Sequence, residues 1–267
     1  VRGCAGAILF AERKDQMKSL ATLAFLVTAL SSRAMVLTQW DFNGQSSTTV
    51  PGGSSSPTPS VGLGTASLVG GVTASFASGI VNGGSSDPVL TSPPNFGWQT
   101  TTYAAQGAEN GGRGVQFAVS TAGMTGVTVN FDVRHSNTSS RWIRFDYSVD
   151  GGMSWVQGTA GASTIFEGTS GDTWFNNRTV DLSTVAAVQN NANFRFRTVT
   201  IFGPAAGPFD DNTTYTSYSA ANPTSTYATG GTLRWDMVTV NAVPEPGTIA
   251  ALVAGFGLFA ARRRRKA

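Results

Sequence analysis

Two stretches near the middle of the chain alternate without a break. In GVTVNFDVRH (126–135), Val127, Val129, Phe131 and Val133 fall on one side and Thr128, Asn130, Asp132 and Arg134 on the other. SRWIRFDYSVD (140–150) opposes Ile143, Phe145, Tyr147 and Val149 to Trp142, Arg144, Asp146 and Ser148. A period of two with one apolar face fits an antiparallel strand packed on one side only, and a helix cannot use it. VLTQWDFN (36–43), MSWVQGT (153–159), WFNNRTVDL (174–182), NFRFRTVTIF (193–202) and TLRWDMVTVNAV (232–243) extend the series. Only DLSTVAAVQNN (181–191) reads as a short helical turn, with Asp181 or Ser183 as its cap. Strands at this spacing, with polar turns and no repeat period, predict an all-β antiparallel sandwich or jelly roll. Two segments stand outside the pattern. The Gly/Ser/Pro-rich stretch 44–71 reads as a long loop, and 82–112 as irregular chain.

The ends differ from this body. Met17-Lys18, the apolar run Leu20–Leu30 and then Ser32-Arg33-Ala34 have the three regions of a secretory signal peptide, placing signal-peptidase cleavage after Ala34. Residues 1–16 carry no such logic and read as an upstream extension, with synthesis starting at Met17. At the other end, Val243-Pro244-Glu245-Pro246 leads into an apolar run from Thr248 to Ala261, closed by Arg262, Arg263, Arg264, Arg265 and Lys266. Fourteen helical residues reach about 21 Å, short of a hydrocarbon core of roughly 30 Å, unless the basic side chains extend to the headgroups. Those basic residues hold the end on the cytoplasmic side.

The Val-Pro-Glu-Pro turn, the small-residue-rich apolar helix and the terminal Arg cluster together resemble the PEP-CTERM sorting signal of bacterial exported proteins. The resemblance covers only about the last 25 residues. It implies an exosortase, a membrane transpeptidase-like enzyme, as processing partner. The chain would be held transiently at the inner membrane, then passed to the envelope or the extracellular polysaccharide. A temporary anchor can be short. The domain reading is therefore 17–34 signal helix, 35–243 sandwich, and 244–267 sorting signal with its transmembrane helix.

Removing the ends reverses the apparent charge. The whole chain has a net charge of +3, but the body from Met35 to Val243 keeps eight Arg against twelve acids, a net −4. Such a surface repels phosphate backbones, which excludes nucleic acid as a partner. The one cysteine, Cys4, precedes the cleavage point, so no disulfide or thiol chemistry is expected in the mature protein.

Candidate chemistry is sparse. Ser148–Trp155 (SVDGGMSW) matches the Asp-box pattern, which turn chemistry alone explains. His135 is the sole histidine, so multi-imidazole zinc is excluded, and no nucleophile motif accompanies it. It reads as a solvent-facing or hydrogen-bonded residue at a strand end. The only glutamates of the body, Glu109 and Glu167, lie in Gly-rich sequence and do not suggest the paired acids of a glycosidase. Two binding expectations remain. Asp41, Asn43 and Asp236 sit on the first and last strands and form a candidate structural calcium site, similar to that of carbohydrate-binding and other jelly-roll modules; the competing reading pairs the two carboxylates with Arg234 or leaves them in water. Trp142 and Trp155 are candidates for a flat glycan platform, although most tryptophans of a sandwich serve packing. The leading expectation is a non-enzymatic surface or matrix protein associated with exopolysaccharide. The alternatives are a glycan-specific carbohydrate-binding module and, with less support, a hydrolase.

Overall fold

The computed structural model describes residues 33–44, 53–89, 91 and 94–245. These fold into two antiparallel sheets packed face to face. The strands are β1 (Met35–Trp40), β2 (Val61–Gly62), β3 (Thr65–Val69), β4 (Thr73–Ser78), β5 (Phe96–Thr101), β6 (Gly114–Ala118), β7 (Met124–His135), β8 (Trp142–Ser148), β9 (Ile165–Glu167), β10 (Thr173–Asp181), β11 (Arg195–Thr200) and β12 (Leu233–Pro244). The seven-stranded sheet runs β10-β7-β12-β1-β2, with β5 on the same edge of β12 as β1, and β4 beyond it. Strand β12 is long enough to serve two neighbours: Leu233–Trp235 pairs with β5, and Val238–Ala242 with β1. The second sheet runs β3-β6-β11-β8-β9.

The alternation foretold the core. Val127, Val129, Phe131 and Val133 of β7 and Ile143 and Phe145 of β8 are buried between the sheets, whereas Tyr147 is only half-buried near the strand end. Aromatic rings fill the middle. Phe196 stacks on Phe117 at 5.0 Å and on Phe145 at 5.4 Å, and Trp40 meets Phe117 edge-on at 4.9 Å. With no disulfide available, this packing carries the fold; each such ring buries 150–250 Å².

Four local expectations are corrected. Within 44–71, residues 53–71 are ordered: they contain a 3-10 turn at Gly53–Ser55, the strand β2, and β3 paired along its length with β6. The order comes from distant partners, because the indole N–H of Trp40 donates to the Pro57 carbonyl and that of Trp98 to the Ser54 carbonyl. The irregular stretch 82–112 contains β5, which inserts between β4 and β12. MSWVQGT forms no strand beyond a single bridge between Tyr147 and Val156. The turn at 181–191 is one 3-10 turn, Ala186–Val188, without a side-chain cap; Asp181 instead accepts the Ser183 N–H at 2.8 Å. The signal helix, except for Arg33 and Ala34, and the C-terminal membrane helix lie outside the described residues. No helix among the described residues is long and apolar enough to cross a membrane.

Candidate functional site

The carboxyl end of β12 is the first site. Val243 pairs with Thr125 and Pro244 with Met124 of β7, and the Glu245 N–H donates to the Gly123 carbonyl at 2.9 Å. The Val-Pro-Glu of the tail is thus the last rung of the sheet. No linker separates the body from it. Proline is tolerated there because β1 pairs with β12 only as far as Ala242, so Pro244 sits at the end of the strand with one neighbour. Pro246 and Arg262–Arg265 lie outside the described residues. At the other end, Ala34 is exposed immediately before β1, so a cut after it would remove no strand.

A family model described as the PEP-CTERM protein-sorting motif matches residues 242–266. The chain carries the PEP-CTERM sorting motif. It marks an exported protein sorted by an exosortase. The motif's first residue, Ala242, is fully buried in β12, so motif and sandwich overlap. No curated protein matches the chain. Among solved structures, the chain is similar to the N-terminal CBM22-1-CBM22-2 tandem domain from Paenibacillus barcinonensis Xyn10C, at 13% identity and a TM-score of 0.42, covering 78% of this chain. It spans 50% of that tandem structure. The CBM22-1 xylan-binding domain of the same enzyme matches at 11% identity and 0.42, covering 79% of this chain and 96% of its own. The enzymatically active domain of tailspike protein 4 of bacteriophage CBA120 matches at 11% and 0.34, over 67% of this chain and 19% of that one.

The residues expected to form a calcium site are only partly brought together. Asp236 is fully buried and lies directly across from Asp132, itself 1% exposed, where β12 pairs with β7. Asn43 donates from Nδ2 to Asp87 at 2.7 Å, and Asp87 is also buried. Burial foremost, with Asp87 and Asp132 as neighbouring carboxylates, pushes the Asp236 carboxyl up to about 8. Asp41 plays a different part. Its Oδ1 accepts the Asn43 N–H at 3.1 Å and shapes the turn that presents Asn43. Arg234 does not neutralise Asp41 or Asp236: its guanidinium donates to Gln99 and to the Ser78 carbonyl. Asp87, Asp132 and Asn95 were missed in the sequence. The only signal was that FDV and WDM each set an aspartate beside a core aromatic.

The glycan platform is not there. Trp142 does lie on the outer face of β8, as the alternation predicted, but the segment after β11 covers it and leaves 3% exposed. Its indole N–H donates to the Pro204 carbonyl at 2.8 Å, Phe209 packs edge-on at 5.4 Å, and Ile201 and Val199 complete a small second core. The ring of Trp155 is covered by the Arg197 guanidinium at 4.3 Å. Arg197 and Arg144 in turn share the buried carboxylate of Asp146. Beside this triad opens a cleft of about 290 Å³, lined by Arg144, Gln157, Phe209, Asp211, Thr213 and Tyr215. The half-buried rings of Phe209 and Tyr215 lie 5.0 Å apart.

The remaining candidates resolve into structural roles. The Asp150 carboxylate accepts from the Ser154 and Ser148 hydroxyls and the Ser154 N–H, which lowers it well below the usual carboxylate range, with the Ser154 hydroxyl as the largest influence. His135 is fully buried, so the solvent-facing reading fails and the hydrogen-bonded one holds. Its Nδ1–H donates to the Ser140 carbonyl at 2.9 Å, and Nε2 has no partner. Glu109 pairs with Arg113 and Glu167 with Arg141.

Proposed function

We propose that this is a non-enzymatic exported protein of the cell envelope or extracellular polysaccharide matrix, delivered there by its tail. The supporting observation is the direct run of the last strand into the sorting motif. A folded sandwich would be held at the inner membrane by residues 248–261 and freed by an exosortase acting beyond the sheet-bound Val243-Pro244. The buried histidine and the paired glutamates leave the described residues without an evident acid–base couple, which favours a structural or adhesive role over hydrolysis. The test is the intact mass of the endogenous protein from medium, envelope and inner-membrane fractions. A species beginning at Met35 and ending just past Glu245, found outside the inner membrane, is the expected result. A species retaining Arg262–Ala267 solely in the inner membrane would refute release.

A second reading, glycan binding, is favoured by the cleft beside Asp146. It sets an aromatic pair among hydrogen-bonding side chains in a concavity, the arrangement that meets the C–H face and hydroxyls of a sugar. Glycan-array binding lost in Tyr215→Ala and kept in Trp155→Ala would establish it. Uniformly blank arrays would remove it.

A further inference from the structure

The end of the sandwich from which the tail leaves is built unlike the other. Strands β1, β3, β7 and β11 begin there and β2, β6, β8 and β12 finish there, as the pairs Met35 with Ala242, Thr65 with Ala118, Met124 with Pro244 and Arg195 with Ser148 require. The connections at this end, 63–64, 119–123, 149–155 and 182–194, are bonded to one another and to the tail. The Glu245 N–H donates to the Gly123 carbonyl, the Gly123 N–H to Asn190 Oδ1, the Thr121 N–H to the Asn191 carbonyl and the Gly151 N–H to the Asn193 carbonyl. In these stretches the sequence holds a single charged residue, Asp150, and its carboxylate is occupied by the Ser148 and Ser154 hydroxyls. The connections at the opposite end carry Glu109, Asp210 and Asp211, all exposed.

Apolar side chains gather where charge is scarce. Leu63 is 88% exposed and Met153 85%, each on one of these connections, and Met35, Val36 and Val61 are exposed on the adjoining parts of β1 and β2. They are five of the eight large hydrophobic side chains exposed among the described residues. Leu63 and Gly151 line one hollow of about 420 Å³, which sets the Met153 turn beside Leu63. Single exposed apolar residues are ordinary, but a group of them on a surface poor in charge marks an interaction site.

Chain length says what meets this surface. Only Pro246 and Gly247 separate Glu245, bonded to Gly123, from the apolar run that starts at Thr248. Three extended residues reach about 11 Å at most, and the headgroup layer on each side of the hydrocarbon is roughly 5–8 Å thick. With the run in the bilayer, the sandwich cannot stand clear of the headgroups, and the end it presents to them is this one. On the reading of residues 248–261 as a membrane anchor, we propose that this end is a bilayer-contact face, with Leu63, Met153, Val61, Val36 and Met35 set into the headgroup boundary of the lipid. The scarcity of charge avoids the desolvation cost that ionised loops would meet there, and the Ser, Thr and Asn side chains of 119–123 and 182–194 can bond to headgroups. The contact is reversible. A few exposed side chains bind a bilayer weakly, as a single acyl chain does, so the face orients the body while the tail holds and lets go once the tail is cut.

The experiment uses the full chain, in a Cys4→Ser background, reconstituted into vesicles of phosphatidylethanolamine and phosphatidylglycerol. A nitroxide is attached to a cysteine at one of three exposed positions: Leu63→Cys, Met153→Cys, and Thr226→Cys on the connection before β12 at the opposite end. Flotation with the vesicles after alkaline carbonate extraction establishes that the tail is embedded. In the floated protein, collisions of the nitroxide with dissolved oxygen and with a water-soluble nickel chelate, supplied on both sides of the membrane, report its depth. The ratio of oxygen to chelate access, in which local crowding cancels, should be several-fold higher at 63 and 153 than at 226. Carbonate-resistant protein with equal ratios at all three positions would overturn the contact face and leave the anchor standing. Chelate access lost at 63 and 153 with no gain in the ratio would put a second copy of the chain on this face and overturn the lipid contact equally. Protein that fails to float would refute the anchor, and the contact face with it.

Discussion

Acid should destabilise this protein through one buried imidazole. His135 is fully buried beside Arg134 and Arg178, and burial above all lowers it from an ordinary 6.5 to about 4. A carbonyl can only accept, so the bond to the Ser140 carbonyl fixes the proton on Nδ1 of the neutral ring. Its folded value is depressed, so the stabilisation is complete above pH 6.5 and is lost as pH falls toward 4, where the unfolded chain binds a proton that the native state refuses. A difference of about 2.5 pH units corresponds to about 3 kcal/mol, lost at about 1.4 kcal/mol per pH unit. That is a large share of the 5–15 kcal/mol typical of a domain. Urea unfolding at pH 7, 6, 5 and 4.5 should show the wild type losing about 1.4 kcal/mol per pH unit more than His135→Asn, which keeps a donor toward Ser140 and should lower stability at pH 7; the raised Asp236 carboxyl gives a slope of opposite sign in both proteins and cancels in that difference. The chain has a single histidine, so its imidazole resonance needs no assignment in an untagged sample. A native imidazole titrating near 6.5, or equal slopes in the two proteins, would refute the reasoning.

The same ring sets a second expectation. A methyl at Gly168 would lie 2.5 Å from His135 Cγ and Nδ1, so Gly168→Ala should cost about 1–3 kcal/mol in urea unfolding, and much less in the background of His135→Ala. Trp142→Ala should lower stability by about 3–5 kcal/mol in urea unfolding, as a core deletion does. A Trp142→Ala variant of native stability would contradict its burial.

How much the sequence disclosed depended on how each residue is stabilised. Strands β7 and β8 were legible because each buries one face, and that demand is written into every second residue. Strand β3 was not, since it is a five-residue edge strand held by the β6 backbone, and the segment before it is held by indole N–H groups distant in the chain. The side of β8 on which Trp142 stands followed from parity, but its covering did not. The segment that buries it is irregular, and no period announces where an irregular segment will lie. The acidic cluster depended on register. Asp132 and Asp236 face one another only because β12 meets β7 as it does, with a bulge following at Met237. The sorting tail, by contrast, was readable outright, because what a membrane and its enzymes recognise there is a linear order of residue types.

Strand β12 also has a mechanical consequence. It is bonded to β7 along one edge and to β5 and β1 along the other, and its carboxyl end continues into the motif. Tension on the tail would act along the strand axis and load the rungs on both edges in shear, many at once, instead of unzipping them singly. A protein held by this tail would be held by its most heavily bonded strand, and a pull from that end would meet the sandwich where it is hardest to unravel.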